Sequence, residues 1–149
     1  MISSILHTSF EPTSAQKQAL QCDKPVFVDA CAGSGKTTIL VNRILTILWE
    51  HPELDLSQIL AITYTKKAAQ EMLVRIQERL RILDTDNDDI QQFKRQSIEQ
   101  LMHARITTIH GFCHQLLSQF PLLLNISPKT EVMSQDVADL MIRDAIQDA

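Results

Sequence analysis

Positive charge, cysteine and long apolar runs are all in short supply in this chain of 149 residues, and each shortage removes a class of protein. A formal net charge of −4 excludes the broadly basic surface of a general nucleic-acid-binding domain, so any contact with a polyanion must be local. The three cysteines, Cys22, Cys31 and Cys113, form an odd set with no CxxC spacing. They signal neither a disulfide framework nor a zinc site and read as small buried apolar residues. No stretch approaches the roughly 18 apolar residues that a membrane span needs. Residues 1–10 lack both a Lys/Arg-rich start and a continuous apolar core, so a cytoplasmic, soluble protein without membrane attachment is expected.

The 44% apolar content suffices for one core of ordinary size, and its period changes along the chain. Residues 25–30, Pro-Val-Phe-Val-Asp-Ala, read as a buried strand opened by proline. From Lys36 onward Leu40, Ile44, Ile47 and Leu48 recur at helical spacing up to Trp49, and Pro52 stops the helix. Residues 59–63 form a second apolar run, followed by Ala69, Met72, Leu73, Ile76, Leu80 and Leu83 on one helical face. Residues 66–81 are locally basic, with Lys66, Lys67, Arg75, Arg79 and Arg81 outnumbering Glu71 and Glu78, which a solvated helix face also explains. The acidic segment 84–89 reads as a loop, 90–103 as a helix, 105–108 as a third strand, and the following helix, with Phe112, Cys113, Leu116, Leu117 and Phe120 on its apolar face, ends at Pro121. Residues 134–149 carry an N-cap in Ser134 and an apolar stripe of Val137, Leu140, Met141 and Ala145 with no stop signal, as in a helix cut mid-course. Strands alternating with helices predict the α/β class, a parallel sheet covered by helices on both faces.

One loop in this pattern carries chemistry. Ala30-Cys31-Ala32-Gly33-Ser34-Gly35-Lys36-Thr37 stands between the first strand and the first long helix and departs from the P-loop pattern GxxxxGK[ST] only in its leading Ala. Gly33 and Gly35 free the backbone to curl its N–H groups around phosphate oxygens, where a Cβ would obstruct. Lys36 supplies a point charge for the β- and γ-phosphates, the Thr37 hydroxyl can bind Mg²⁺, and the helix that carries both, with Thr38, turns its N-terminal dipole toward the anion. Upstream, the Gln16 amide has the donor and acceptor that match the N6/N7 edge of adenine, which would favour ATP over GTP.

Four blocks together resemble the UvrD/Rep-like superfamily-1 DNA helicases, within them the AddA/RecB branch of helicase-nucleases. The block with Gln16 and Ala19 resembles the family's Q motif, and residues 30–37 are similar to motif I, including the leading Ala of that branch. Residues 59–72 resemble motif Ia, with Tyr64 where the family usually has Phe and Lys66 where it often has Asn. Thr108-Ile109-His110-Gly111-Phe112-Cys113 is similar to motif Ib.

The resemblance implies a partial RecA-like P-loop NTPase domain: residues 1–125 as the N-terminal part of the first motor domain, and 126–149 as the start of a helical insertion. It implies a parent that is an ATP-dependent 3′-to-5′ DNA helicase of repair and recombination, using ATP and Mg²⁺, acting on single-stranded DNA and working with a helicase-nuclease partner subunit. Thr63, Tyr64, Thr65, Thr108 and His110 become the DNA-contacting residues, and Lys36 and Thr37 the catalytic ones. An aromatic ring can stack on any base, and hydroxyl groups can hold phosphates without reading sequence. The family's acidic motif and second-domain arginines are not found in these residues, so this stretch is expected to bind nucleotide better than it hydrolyses it. Two other readings stay open: a P-loop switch or small-molecule kinase without DNA, and a non-catalytic remnant that binds single strands or a partner.

Overall fold

A computed structural model describes residues 12–21, 23–31, 33–83, 86–127 and 133–147. The chain divides into two units, Met1–Phe112 and Cys113–Ala149. In the first, α1 (Ser14–Ala19) starts from a capping box: the Thr13 hydroxyl accepts the Gln16 N–H, while the Gln16 side chain accepts the Thr13 N–H. The next helix, α2 (Lys36–Glu50), buries Val41, Ile44, Leu45 and Leu48 and leaves Leu40 40% exposed, so the inward stripe lies one residue away from the Leu40 register. A short 3₁₀ turn, Leu56–Gln58, leads into β1 (Leu60–Thr63) and then α3 (Lys66–Ile82), whose Ala69, Met72, Ile76 and Leu80 repeat at helical spacing and are buried. Asn87 caps α4 (Asp88–Gln100), with the first-turn carboxylates Asp88 and Asp89 at its positive end. A second 3₁₀ turn, Leu101–His103, precedes β2 (Arg105–Thr108) and α5 (Ile109–Gln119).

The two strands run parallel with Thr63 opposite Thr108, which makes the segment between them, with α3 and α4, a crossover connection. Facing residues Ala61 and Ile106 are buried and join α2, α3 and α4 in one core, at whose margin Trp49 and Phe93 meet edge to face at 5.4 Å. The α/β class and the parallel pair flanked by helices are thus present.

Three expectations are corrected. Residues 25–30 form no strand, and Val26, Phe27 and Val28 are exposed, Phe27 at 94%, because a strand needs a neighbour and no described segment pairs with this one. The sheet is covered on one face: Leu60 and Ile62 remain exposed on the other. Cys31 and Cys113 are exposed rather than buried, Cys31 lying in a loop with no layer over it, while Cys22 lies outside the described residues.

The second unit holds the end of α5, a turn through Pro121 with Asn125 at φ 52°, and α6 (Gln135–Gln147). Ser134 stands at the start of α6, its carbonyl accepting the Ala138 N–H. The apolar stripe of α6 has no cover among the described residues, with Val137, Leu140, Met141, Ile142 and Ile146 all exposed. Leu116, Leu117 and Phe120, expected on a buried face of α5, are exposed as well. No helix among the described residues is long and apolar enough to cross a membrane.

Candidate nucleotide and nucleic-acid site

The loop before α2 is shaped by its two glycines. Gly33 and Gly35 have φ of 79° and 85°, the left-handed region that a side chain disfavours. Gly35 is the N-cap of α2 and offers no side chain to it; the helical ladder opens with the Ile39 N–H on the Gly35 carbonyl. The N–H groups of the first turn therefore have no partner four residues back, the condition under which a helix start takes an anion. The Lys36 ammonium donates to the carbonyls of Ala30 and, at 2.6 Å, Cys31. Ser34 N–H closes a turn on Cys31 O at 3.3 Å.

Gln16, eighteen residues before Ser34, donates from Nε2 to the Ser34 carbonyl at 3.2 Å, while its Oε1 accepts the Thr13 N–H at 2.8 Å. Gln16, Ala30, Ser34 and Lys36 line one open groove of about 700 Å³, with Phe27 and Arg43 at its wall. Thr38 lies elsewhere, in a hollow with Val41, Arg75 and Ile82 against α3, and Thr37 is half-buried at the helix start. Ala32 lies outside the described residues.

The other expected contacts gather at the C-terminal ends of the strands. Because Thr63 and Thr108 are register partners, the residues that follow them, Tyr64 and Thr65 on one side and His110 on the other, leave the same edge of the sheet. Ligands of open α/β sheets bind at that edge. Tyr64 is 95% exposed, and His110 is exposed as well. The three threonines have local work: Thr63 Oγ1 donates to Thr65 O at 3.0 Å, Thr65 Oγ1 accepts the Ala68 N–H that starts α3, and buried Thr108 accepts the Gly111 N–H at 3.1 Å.

A scan against protein-family models matches residues 12–149 to the UvrD/REP helicase N-terminal domain. The chain belongs to that family. Helicase relatives agree: it is 33% identical to an ATP-dependent helicase/nuclease subunit from Ligilactobacillus salivarius over 93% of this chain and 11% of that protein. It is 35% identical to the same-named protein of Enterococcus faecalis over 92% of this chain and 11% of that protein, and 34% identical to that of Bacillus anthracis over 89% and 11%. The chain thus spans about a tenth of the length of the curated relatives it matches.

The local roles of three residues of this UvrD-family domain escaped the sequence reading. Thr13 left a signal, a Thr three residues before a Gln at a helix start. Gly111 left a weaker one, the single glycine outside the phosphate loop: a Cβ there would run into the Thr107 hydroxyl. Arg43 left none; its guanidinium holds the carbonyls of Ala19 at 2.6 Å and Lys24 at 3.2 Å, tying the chain between α1 and the loop to α2.

Proposed function

We infer that this chain is the nucleotide-gripping start of an ATP-dependent DNA helicase motor, residues 1–125 opening the first motor domain and 126–149 the insertion that follows. The observation that carries this is the loop with Gly33 and Gly35 at positive φ and an ammonium at its mouth, opening a 15-residue helix, in a chain of the UvrD family. In this reading Lys36 leaves the carbonyls of its own loop for the β- and γ-phosphates, and Gln16 reads adenine with the donor and acceptor it has to spare. Among the described residues no cluster of His, Cys, Asp or Glu could hold a metal by itself. Mg²⁺ needs none, since it is ordinarily held by one or two protein oxygens together with phosphates and water, and Thr37 offers such an oxygen. Bound there, the ion would neutralise phosphate charge; the chain's part is to grip and orient the triphosphate.

The same reading gives Tyr64 and His110 to single-stranded DNA, with Thr63, Thr65 and Thr108 shaping the edge from which they project. It also makes the parent a 3′-to-5′ translocase in recombinational repair, cytoplasmic and paired with a second protein. Support comes from the relatives, whose names pair helicase with nuclease and describe one component of a larger assembly. Calorimetric titration of Mg·ATP decides the core of it. Lys36→Ala is expected to abolish binding, because a phosphate site without its cation loses several kcal/mol, and equal affinities for both proteins would refute the site.

A further inference from the structure

Gln16 does something that base recognition does not require: it holds the phosphate loop. Its amide is fixed at both ends, since the Thr13 N–H can only donate and so meets Oε1, while the Ser34 carbonyl can only accept and so meets Nε2. A trans peptide is planar, with its C=O and the following N–H pointing in opposite directions. Drawing the Ser34 oxygen toward Gln16 therefore turns the Gly35 N–H to the other side of that peptide. Gly35 sits at φ 85° and has no Cβ to resist a flip, so little in the loop itself keeps that N–H where it is. Even a Cβ on Gly35 would lie 3.7 Å from Gln16 Nε2, which shows how closely the amide rests on the loop.

We propose that Gln16, anchored by the Thr13 N–H, is a positioning residue that sets the Ser34–Gly35 peptide for a polyphosphate, and so acts on triphosphate binding whatever base is attached. This rests on the phosphate-loop reading above and deepens it. A residue that only read adenine would leave an inorganic triphosphate untouched, whereas the tether acts on both ligands.

The test titrates Mg·ATP and Mg·tripolyphosphate into the full chain as wild type, Gln16→Met and Thr13→Pro. The Met keeps the length of the side chain and loses both the donor to Ser34 and the acceptor for Thr13; the Pro fits the Thr13 φ of −61°, removes the anchoring N–H together with the hydroxyl cap, and leaves Gln16 in place. Gln16→Met is expected to weaken tripolyphosphate roughly three- to tenfold, the worth of one hydrogen bond, and ATP by at least that factor, with a small drop in the thermal midpoint from the lost half of the capping box. Thr13→Pro is expected to weaken both in parallel by a smaller factor. Loss of ATP affinity with tripolyphosphate unchanged, or no loss of either in both variants, would overturn the proposal. So would binding of ATP but not tripolyphosphate by the wild type. Binding of neither ligand by wild type would overturn the phosphate-site reading itself, and Lys36→Ala, run alongside, reports on that reading alone.

Discussion

Gly111 and Asp55 show how single residues hold the ends of the strands. Gly111 lies in the first turn of α5, donating its N–H to Thr108 Oγ1 at the end of β2, and space for a side chain is already taken by the Thr107 hydroxyl. Gly111→Ala is expected to cost about 1–3 kcal/mol, as overpacked sites do, read as a lower urea midpoint; an unchanged midpoint would mean that Thr107 swings aside freely. Asp55 stands before β1, where its carboxylate accepts the Ser57 N–H at 2.7 Å and caps the 3₁₀ turn. That backbone hydrogen bond, joined by the Ser57 hydroxyl and the charge of His103, holds the carboxyl below its ordinary range. A folded-state value below the unfolded one means stability that is present above the unfolded value of about 4 and lost as pH falls through the folded value. Asp55→Asn, which cannot ionise, is expected to flatten the fall in stability on the acid side of about pH 4. Identical acid limbs for the two proteins would remove Asp55 as a contributor.

Among the elements, the helices were the most legible, because a helix with one buried face writes its period locally. Met72, Ile76 and Leu80 on α3 are buried as that period requires. On α2 the class of element was right and the face slightly wrong, since Leu40 and its neighbours Ile39 and Val41 are all apolar and only packing chooses between them. Residues 25–30 were misread for a deeper reason: strand formation is a relation between two segments, and composition records only one of them. The glycine loop opening α2 was legible from its motif, while the Gln16–Ser34 tether was not, because it joins residues far apart in sequence through an orientation set by a capping box. The paired ends of β1 and β2 carry the prediction at this scale. With Tyr64 and His110 leaving one edge, Tyr64→Ala is expected to weaken binding of a labelled single-stranded oligonucleotide roughly tenfold or more, with little sequence bias, as the loss of a stacking platform does. Fluorescence anisotropy measures it, and unchanged binding in both Tyr64→Ala and His110→Ala would favour a nucleotide-binding protein without DNA.

At the scale of the whole molecule, the apolar surface left open and the share of its relatives that the chain spans lead to one expectation. Phe27, Leu60 and Ile62 lie exposed in the first unit, and Leu140, Ile142 and Ile146 in the second, in segments whose sequence calls for burial. Apolar surface of this extent is ordinarily covered in proteins of this size, and the chain spans about a tenth of the length of the curated relatives it matches. Residues 25–30 sharpen the point: they lead directly into the loop with Gly33 and Gly35, so a neighbour strand that pairs with them would also fix the entrance to the proposed nucleotide site. Hydrolysis asks for more than a grip on phosphate. It needs a carboxylate to place water, cations that close over the transition state, and a second body that moves when nucleotide binds, and an arginine finger alone contributes roughly 10³ to 10⁵ in rate. We therefore expect these 149 residues by themselves to bind Mg·ATP, to associate as their concentration rises, and to turn over ATP far more slowly than about 1 s⁻¹, with no displacement of a duplex strand. Sedimentation velocity over a range of concentrations, beside a steady-state ATPase assay with and without single-stranded DNA, tests all of this on one preparation. DNA-stimulated turnover at or above about 1 s⁻¹ from a monodisperse monomer would show that the gripping loop and the strand edge already suffice as a motor.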